Sequence, residues 1–451
     1  MVKIGLEIHG YLDTEKKLFC NCNAIHGSKL ANPNTQICPI CTAQPGCKPM
    51  LPNKDAIKKA TQIAIILGCT VNEKLIFYRK HYSWPDLPKG YQNTISGPHS
   101  KANGEKGKFL GIGIWECHLE EDPAAWNPDT GEIDYNRSGS PLIEIVTAPD
   151  FTSSEQVVEW LKQLIITLDY IKAIDKKAGI KADVNVSISG GERVELKNIN
   201  SLQNIKDAIE IEIKRQEKDL PKEKHTRRYD SVKKTTTLMR SKENAEDYRF
   251  ISDPDLPEII LDKKFIEKIR KELPETPKEK LEKLIKKYNI PLENAEILTK
   301  KLEIVEFFES IIGYTDSKLA IRYVTEELLS VLNYNKIELE DTQINPEHFI
   351  KLLNAIKDNK ITELKAKDIL RTWKEQSFDP EKEIKENKSI SDSSEIEKIA
   401  KQIIKENEKA ANDYKNGEDK SINFLIGQLM RATNKRADFK TAKEVLEKLL
   451  K

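Results

Sequence analysis

Two hydrophobic runs of the chain each contain a glutamate at their centre. Residues 4–9 (IGLEIH) and 141–146 (PLIEIV) otherwise have the composition of buried strands, yet they include Glu7 and Glu144. Because side chains alternate between the faces of a strand, we predict that Glu7 shares its face with His9 and that the aliphatic neighbours share the other. Moving an unpaired carboxylate out of water costs several kcal/mol, so each glutamate requires a partner. Two carboxylates and an imidazole suggest a divalent cation.

A hairpin is predicted between residues 183–189 (DVNVSIS) and 193–197 (RVELK). A three-residue loop would pair Val186 with Leu196 and Asn185 with Lys197. The polar side chains of the two strands then share one face, which is either solvated or part of a site. These polar residues are Asp183, Asn185, Ser187, Glu195 and Lys197.

Helical periodicity appears on both sides of this hairpin. One helix is predicted over residues 154–171, with Ser153 as N-cap and Gln156 three residues later. Its apolar face comprises Val157, Leu161, Leu164, Ile165 and Leu168. A second helix is predicted after Ser201, with Leu202, Ile205, Ile209 and Ile213 on one side. Together with the strands, these helices predict an α+β fold whose sheet is mixed or antiparallel.

The later part of the chain is predominantly helical in pattern. At roughly 150 residues per domain, 451 residues suggest three units. We predict an α+β domain over residues 1–288, a helical domain over 289–385 and a small helical module over 395–451. Residues 386–394 are charged and serine-rich, which is typical of a linker.

Composition indicates a soluble globular protein. Hydrophobic residues make up 38% and charged residues 33% of the chain, and the mean hydropathy is −0.58. No stretch approaches the roughly 18 apolar residues of a membrane span, and the first residues lack the pattern of a leader peptide, so we expect a cytoplasmic protein. The 74 basic and 73 acidic residues leave a formal charge of +1. Contacts with nucleic acid would therefore depend on local patches.

Four of the seven cysteines form two close pairs, Cys20 with Cys22 and Cys38 with Cys41. In a cytosolic chain, two such pairs favour a structural zinc ion over disulfides, because they supply four thiolates to one tetrahedral ion. The alternative is a reduced loop without metal. The other three cysteines have the character of ordinary buried thiols.

An acidic corner follows the alternating residues 111–114 (GIGI). Glu120, Glu121 and Asp122 stand there, and one or two of them could join Glu7, His9 and Glu144 in an oxygen-rich site suited to Mg²⁺ or Mn²⁺. A solvated turn or a general acid–base pair would use the same residues. The chain contains no P-loop and no nucleophile motif, so any nucleotide is bound without a P-loop. Phosphoryl transfer suits this inventory because it depends on cations and positioning.

Ten segments in the same order resemble one family, the B subunits of the glutamyl-tRNA(Gln)/aspartyl-tRNA(Asn) amidotransferases. These segments are residues 4–9 (IGLEIH), 17–22 (KLFCNC), 84–92 (WPDLPKGYQ), 119–122 (LEED), 136–146 (NRSGSPLIEIV), 195–201 (ELKNINS), 226–230 (TRRYD), 238–240 (LMR), 248–255 (YRFISDPD) and 424–433 (FLIGQLMRAT).

The resemblance implies a cradle-shaped, kinase-like domain followed by a helical domain and a tail module. In that family the B subunit is a ligase of translation. It uses ATP to phosphorylate the side-chain carboxylate of Glu or Asp misacylated on tRNA, and ammonia then displaces the phosphate. The family's A subunit, an amidase, makes the ammonia, which travels through an internal channel, and a small C subunit completes the heterotrimer. The expected cofactors are ATP, Mg²⁺ (or Mn²⁺) and Zn²⁺, with no DNA and no membrane as partner.

The family's magnesium ligands correspond to His9, Glu121 and Glu144, with Glu7 at a second cation position. Asp183 corresponds to an acidic position beside the transferred groups. The resemblance thus implies catalytic roles for all five residues. The zinc ligands correspond to Cys20, Cys22, Cys38 and Cys41. The expected cofactor-binding residues are Arg137, Asn185 and Lys197, of which Lys197 could instead only pair with Glu195.

The chain departs from many relatives after Asp122. Those relatives continue with Ala-Gly-Lys, whereas this chain has residues 123–126 (PAAW). Because no basic residue stands in that segment, we assign no phosphate contact to it. Near the C-terminus, the resemblance implies that the module over 395–451 binds tRNA through its basic residues, and without the resemblance a solvated helix face explains them. These residues are Arg431, Lys435, Arg436, Lys440 and Lys443.

Three rival interpretations remain at this point. The E subunit of the two-subunit archaeal glutamyl-tRNA(Gln) amidotransferase shares the cradle, but it carries a large insertion for which residues 255–265 leave no room. A zinc-stabilised scaffold that binds tRNA without catalysis would lack cation ligands. A metal-dependent hydrolase would not consume ATP in step with amide formation.

Overall fold

A computed structural model describes residues 1–25, 31–97, 100–175, 178–241, 248–390, 392–418 and 420–450 of the protein. The chain divides into two compact units, Met1–Thr276 and Pro277–Lys451. Residue 391 of the predicted linker and residues 419 and 451 of the predicted tail module lie outside the described residues. The division into three domains stays a prediction.

The first unit contains the strands. They are β1 (Val2–Tyr11), β2 (Thr70–Val71), β3 (Lys74–Leu75), β4 (Tyr78–His81), β5 (Gln92–Thr94), β6 (Gly104–Phe109), β7 (Ile112–Glu121), β8 (Ala125–Trp126), β9 (Ile133–Asp134), β10 (Pro141–Thr147), β11 (Ile180–Ile188), β12 (Val194–Ile199), β13 (His225–Asp230), β14 (Thr235–Ser241), β15 (Arg249–Ser252) and β16 (Ile259–Ile260).

Helices of the first unit are α1 (Lys54–Ile66), α2 (Ser154–Tyr170), α3 (Leu202–Lys218) and α4 (Lys263–Glu272). Those of the second unit are α5 (Pro277–Tyr288), α6 (Leu292–Leu298), α7 (Leu302–Ile312), α8 (Ser317–Arg322), α9 (Leu329–Asn335), α10 (Pro346–Lys357), α11 (Glu363–Thr372), α12 (Glu381–Glu386), α13 (Ser393–Glu406), α14 (Glu408–Lys415), α15 (Ser421–Ala432) and α16 (Phe439–Leu450). A π-helical segment, Tyr323–Leu328, joins α8 to α9, and a 3₁₀ turn covers Leu339–Asp341.

Twelve of the described strands form one large sheet. Its main path runs β14-β13-β12-β11-β1-β10-β7-β5-β4-β15, and β6 adds to β7 and carries β2. Strand β12 pairs with β13 in parallel, whereas β1 pairs antiparallel with both β10 and β11. The predicted α+β fold with a mixed sheet is therefore confirmed, and β1 lies at the centre of the sheet.

One face of this sheet is apolar and covered by helices. Ile4, Leu6 and Ile8 of β1 are at most 1% exposed and belong to a core that also contains the buried faces of α1, α2 and α3. Because these aliphatic residues alternate with Glu7 and His9, the polar side chains of β1 project from the opposite face. The helix-covered face fixes the strands, and the other face is left for chemistry.

The two helices predicted from periodicity are confirmed, together with their N-caps. Ser153 Oγ accepts the backbone N–H of Gln156 at 3.2 Å at the start of α2, and Ser201 Oγ accepts that of Asn204 at 3.0 Å at the start of α3. Helix α2 ends at Tyr170, one residue before the predicted end.

The predicted register of the β11–β12 hairpin is wrong by two residues. Val186 lies opposite Val194, and Asn185 lies opposite Glu195 instead of Lys197. The connection is longer than three residues because the ladder ends at the Val186 pair. A shift of two residues preserves the alternation, so the predicted polar face is retained.

A β-bulge in β7 exchanges the faces of that strand. Before the bulge, the even-numbered Ile112 and Ile114 face the core, whereas after it the odd-numbered Cys117 and Leu119 do so. The reason is that the pairing with β10 shifts by one residue between Ile114 and Glu116. Trp115, the extra residue, is 59% exposed. The bulge therefore determines which acidic residues at the end of β7 reach the polar face.

The second unit is helical throughout its regular elements. Its C-terminal part has a core of its own in which α13, α15 and α16 pack together, with Ile396, Leu425 and Leu446 fully buried. The preceding helices bury a separate set of large side chains that includes Phe308 and Phe349.

Candidate active site and metal centres

A cavity of about 630 Å³ lies on the polar face of the sheet. Strands β1, β4, β7, β10, β11 and β12 contribute side chains to it, so it spans the centre of the sheet. Its charged lining residues are His9, Lys80, Asp86, Glu120, Asp122, Arg137, Glu144, Lys181, Asp183 and Lys197. Acidic and basic groups thus face one another across a single polar cavity.

Glu144 is the centre of a cluster that we call the His9 cluster, which comprises His9, His118, Glu120 and Glu144. In the pairing of β1, β10 and β7, Glu144 stands between His9 and His118. Its Oε2 lies 3.4 Å from His9 Nε2 and 3.3 Å from His118 Nε2. Adjacent strands therefore present a carboxylate between two imidazoles.

The charges in the His9 cluster shift one another's pKa values. Burial opposes protonation of His9, but Glu144 outweighs burial and raises the pKa of His9 to about 9. The pKa of His118 rises to about 10 for the same reason. Burial by itself would raise the pKa of Glu144, yet the two imidazoles hold it well below its usual range. Glu144 is thus the anion that the imidazolium groups neutralise.

Glu120 supplies a further carboxylate to the same cluster. His9, Glu120 and Glu144 each place one ligand atom within 4.8 Å of the others, which is a suitable spacing for a shared cation. Glu120 Oε2 is buried without a hydrogen-bond partner among the described residues. Burial, followed by the charge of Glu144, raises the pKa of Glu120. A buried carboxylate oxygen in need of a partner and an imidazole beside it fit a divalent cation.

A second group, the Asp183 cluster, comprises Glu7, Asp183, Glu195 and Lys197. Glu7, Asp183 and Glu195 also bring one oxygen each within 4.8 Å of the others. Lys197 Nζ lies 2.9 Å from Asp183 Oδ2 and 2.5 Å from Glu195 Oε1. The pKa of Lys197 is raised because these two carboxylates outweigh its burial. The sequence left open whether Lys197 pairs only with Glu195, and it contacts both.

Asn185 borders the Asp183 cluster. Its side-chain N–H₂ donates to Glu7 Oε1 at 3.1 Å, while its Oδ1 is buried without a hydrogen-bond partner among the described residues. Burial and the charge of Glu144 raise the pKa of Glu7. An unpartnered amide oxygen beside three carboxylates fits the oxygen-rich donor set of a magnesium site.

Glu121 lies apart from the His9 cluster, because the bulge in β7 sends odd-numbered residues to the other side of the strand. Its expected role as a magnesium ligand stays a prediction. Glu121 pairs with Lys89 and accepts the backbone N–H of Asn93 at 2.8 Å. It lines a separate cavity of about 380 Å³ beside the cysteines. The structure places Glu120 where the resemblance implied Glu121.

Arg137 lines the main cavity and also binds the turn that follows β7. Its Nε lies 2.9 Å from Asp122 Oδ2, and its guanidinium donates to the carbonyls of Pro123 and Ala124 at 3.0 and 2.7 Å. Tyr11 donates its hydroxyl to the same oxygen of Asp122 at 2.6 Å. Arg137 therefore holds the turn over residues 122–124.

The four predicted cysteine ligands converge. Sγ atoms of Cys20, Cys22, Cys38 and Cys41 lie within 4.8 Å of one another, and those of Cys38 and Cys41 are 3.9 Å apart. Four thiolates at about 2.3 Å from a tetrahedral ion would be separated by roughly 3.8 Å. The cluster can therefore hold one metal ion.

Sequence reasoning missed His118, a buried member of the His9 cluster, and Lys80, which lines the cavity. Lys80 lines the cavity from β4, and its pKa is raised because Glu120 and Glu144 outweigh its burial. A signal for His118 exists in the sequence, since it lies two positions before Glu120 and strand alternation puts both on one face. The sequence contains no comparable signal for Lys80. Its strand β4 comes near β7 because β4 pairs with β5 and β5 pairs with β7.

The five basic residues near the C-terminus do not form one free surface. Lys435 pairs with Asp368 at 2.6 Å, and Arg436 donates to the carbonyl of Lys388 at 3.0 Å. Arg431 is exposed on α15, and Lys440 and Lys443 are exposed on α16, where Lys443 lies 3.8 Å from Glu447. Across the described residues, the helices include none that is long and apolar enough to span a membrane.

Two family profiles match the chain. The profile of the GatB/GatE catalytic domain matches residues 2–267, and that of the GatB domain matches residues 306–450. Together they cover the strand-containing unit and most of the helical unit.

Full-length similarity extends to curated archaeal proteins. The chain is 42% identical to a protein of Methanococcus maripaludis (strain C5) over 466 residues, which is 99% of this chain and 98% of the relative. It is 40% identical to one of Methanocaldococcus jannaschii, with 100% and 98% covered, and 41% identical to one of Methanothermobacter thermautotrophicus, with 99% of each covered. All three relatives are named as the B subunit of an aspartyl/glutamyl-tRNA(Asn/Gln) amidotransferase.

Proposed function

Because this chain belongs to the family of aspartyl/glutamyl-tRNA(Asn/Gln) amidotransferase B subunits, we propose that it activates the side-chain carboxylate of Glu or Asp carried by tRNA. The chain thus acts in tRNA-dependent amide formation, as part of a glutamine-hydrolysing ligase. The observation that carries this proposal is the cavity on the sheet, where two clusters of candidate cation ligands face several basic side chains.

The reaction that we propose has two steps. In the first, a carboxylate oxygen of the aminoacyl group attacks the γ-phosphorus of ATP, the bond to the β,γ-bridging oxygen breaks, and ADP leaves with that electron pair. In the second, ammonia attacks the acyl carbon, loses a proton, and expels inorganic phosphate to give the amide. The chain needs no nucleophile of its own for either step.

The residues of the cavity and of the Asp183 cluster beside it supply binding and orientation. His9 in its neutral form, Glu120 and Glu144 would hold one magnesium ion, and Glu7, Asp183, Glu195 and Asn185 would hold a second. Magnesium, when bound, neutralises phosphate oxygens and holds them for in-line transfer. The ammonium group of Lys197 reaches the same cavity and can stabilise the charge that develops on the transferred group. Arg137 holds the turn at Asp122 and limits the cavity at that end.

The cysteine cluster has a structural role in this proposal. A zinc ion on Cys20, Cys22, Cys38 and Cys41 would hold the segment between β1 and α1, because four thiolates complete a tetrahedral site and leave no open position. Lys17 Nζ lies 3.5 Å from Cys41 Sγ and would offset part of the negative charge of such a site.

Partner subunits complete the enzyme. We propose that an amidase partner supplies ammonia and that a small third protein joins the assembly. The C-terminal module would bind the tRNA backbone with exposed basic residues that include Arg431 and Lys440. Replacing both with alanine should lower the salt dependence of tRNA binding by about two phosphate contacts. An unchanged salt slope would exclude this surface.

An acyl phosphate can be trapped directly. The purified complex would be mixed with misacylated tRNA, magnesium and [γ-³²P]ATP in the absence of glutamine and ammonia, and hydroxylamine would then be added. We expect the hydroxamate of Glu or Asp on the tRNA, formed in step with phosphate release. Running the assay with Glu-tRNA(Gln) and with Asp-tRNA(Asn) identifies the substrate.

Two outcomes would contradict the proposed function. If the complex forms amide in a parallel reaction with ammonia in place of hydroxylamine, while neither hydroxamate nor ADP appears, carboxylate phosphorylation is wrong. If tRNA binds but no amide forms under any condition, the chain is a tRNA-binding scaffold.

A further inference from the structure

A second cavity adjoins the main one and contains a carboxylate among aromatic rings. Its volume is about 360 Å³. The lining residues are Tyr82, Trp84, Asp86, Ala125, Trp126 and Arg137. Tyr82, Asp86 and Arg137 also line the main cavity, so the two cavities are continuous. We call this second cavity the Asp86 pocket.

The rings of the Asp86 pocket suit a compact cation better than a flat ligand. The ring centroids of Trp84 and Trp126 are 5.7 Å apart, and the ring planes cross at 62°. Because of this angle, the two indoles cannot both stack on one planar ring. Aromatic faces that meet a space from different directions are instead typical of sites that bind ammonium groups through cation–π attraction. Tyr82 adds a third ring where the pocket meets the main cavity.

Asp86 supplies negative charge to the pocket. Its Oδ1 is buried without a hydrogen-bond partner among the described residues. Burial raises the pKa of Asp86, and the charge of Arg137 offsets only part of this rise. Arg137 itself is paired with Asp122, at 2.9 Å from Nε to Oδ2. A buried carboxylate oxygen without a partner favours a ligand that donates a charged N–H.

The other acidic residues that line the main cavity have different partners. Asp122 pairs with Arg137 and also accepts the hydroxyl of Tyr11 at 2.6 Å. The remaining three belong to the His9 cluster and the Asp183 cluster, and they are Glu120, Glu144 and Asp183. Asp86 is therefore the acidic lining residue that can accept a cationic group of a ligand without competing with a candidate metal ion.

The substrate of the proposed function carries one such cationic group. When Glu or Asp is esterified to tRNA, its α-carboxyl group is part of the ester bond and its α-amino group is free. A neighbouring carboxylate favours the protonated form of that amine. The side-chain carboxylate of the same residue must reach the candidate cation ligands in the main cavity. The aminoacyl group thus requires cations at one place and an anion at another within one continuous space.

We propose that Asp86 and the rings of Tyr82, Trp84 and Trp126 form a subsite for the α-ammonium group of the misacylated residue. This inference rests on the proposed function. Asp86 accepts an N–H of the ammonium group, and the rings attract its charge. The subsite orients the side-chain carboxylate toward the candidate cation ligands, and it selects aminoacyl esters whose α-amino group is free.

A tRNA whose acyl group lacks the amine tests this subsite without any variant. Glutaric acid esterified to tRNA(Gln) keeps the reacting carboxylate but has hydrogen in place of the α-ammonium group. Succinic acid on tRNA(Asn) is the counterpart for Asp. Amide formation by the intact complex would be measured with ammonium chloride as nitrogen donor. We expect kcat/KM for the acyl group without the amine to be about tenfold lower or less, the loss typical of one hydrogen bond to a charged group.

Asp86→Asn should lower kcat/KM for the aminoacyl-tRNA about tenfold and leave that for the tRNA without the amine nearly unchanged. A purely structural role of Asp86 would lower both equally. Trp84→Leu should reduce the preference for the amine about threefold, since one exposed cation–π contact contributes less than a charged hydrogen bond. Asp129→Asn is the matched control, because Asp129 is exposed between β8 and β9, and it should keep the full preference.

Two results would overturn the proposal. One is an unchanged complex that accepts both acyl groups equally well, and the other is an Asp86→Asn variant that loses the same factor with both. Free ammonium has the same charge and donors, so KM for ammonia would be measured as well. A rise in that KM alone would assign the pocket to the amide nitrogen and contradict the α-ammonium subsite. Failure of the proposed function would appear differently, as a lack of ATP-dependent amide formation from either misacylated tRNA by the unchanged complex.

Discussion

The His9 cluster and the Asp183 cluster lie side by side on one sheet face, yet they balance charge in different ways. Strand β1 contributes His9 to the first and Glu7 to the second. In the His9 cluster, two imidazoles stand against two carboxylates. In the Asp183 cluster, one ammonium group stands among three carboxylates.

This difference indicates how each cluster tolerates burial. With both imidazoles protonated, the His9 cluster is neutral without any metal, because the pKa values of His9 and His118 are raised to about 9 and about 10. Among its own four residues, the Asp183 cluster has three carboxylates and one ammonium group, so negative charge is in excess when the carboxylates are ionised. A cation that enters the His9 cluster must displace protons from the imidazolium groups, whereas one that enters the Asp183 cluster offsets this excess. We therefore expect the Asp183 cluster to bind Mg²⁺ more tightly.

Glu144→Ala should have the largest effect, since it removes the carboxylate that both imidazoles share. ATP-dependent amide formation should fall by about 1,000-fold or more, because one substitution removes a candidate cation ligand and leaves two buried imidazoles without their anion. The measurement is the rate of Gln-tRNA or Asn-tRNA formation by the complex with glutamine as nitrogen donor.

Glutaminase activity of the amidase partner provides the control for Glu144→Ala. It should persist, and a normal circular dichroism spectrum would exclude unfolding. Near-normal amide formation by this variant would remove the His9 cluster from the mechanism.

Lys197→Met tests the other cluster by taking away its basic side chain. Amide formation should fall by about 100-fold, the usual loss for one group that stabilises transition-state charge. Because methionine keeps the length of the side chain, packing changes little. The rate constant at saturating ATP and tRNA is the quantity to compare.

Lys206→Met is the counterpart on the exposed part of α3, where Lys206 pairs with Glu155. It should retain full activity. Equal rates for the two lysine variants would show that the Asp183 cluster is only a solvated ion-pair network.

Two neighbouring glutamates provide a sharper test of which side of β7 holds metal. Glu120→Gln should raise the magnesium concentration needed for half-maximal activity by about tenfold, because one ligand oxygen becomes a neutral amide. Glu121→Gln should leave this concentration unchanged, since Glu121 pairs with Lys89 instead. The reverse result would place the cation at Glu121, as the family resemblance implied.

The sequence predicted which residues lie on the polar face more accurately than it predicted which residues of neighbouring strands lie opposite one another. Alternation in β1 and β10 correctly separates Glu7, His9 and Glu144 from the core, because each strand is regular over those residues. In β11 and β12, alternation also survived the two-residue error in register, since the faces repeat every two residues.

Whether Glu120 or Glu121 faces the His9 cluster depends on the bulge in β7, which the simple alternation of side chains does not predict. Trp115 adds one residue to β7, and from there onward every side chain exchanges its face. A bulge is determined by the pairing of three strands, so residues 111–114 (GIGI) give no indication of it. The unpaired tryptophan is the nearest signal in the sequence.

The smallest effect should be seen in thermal stability, where the two clusters can be compared without substrate. Saturating Mg²⁺ should raise the melting temperature of the unchanged protein by a few degrees, because a ligand bound at about 100 times its Kd stabilises the folded state by about 2.7 kcal/mol. Glu7→Gln should lose at least half of this increase, since it weakens the cluster that is expected to bind more tightly. Glu155→Gln, an exposed carboxylate on α2, should keep it. If Glu7→Gln keeps the whole increase while Glu120→Gln loses it, the order of affinity is reversed, and the neutral His9 cluster is the stronger metal site despite its imidazolium groups.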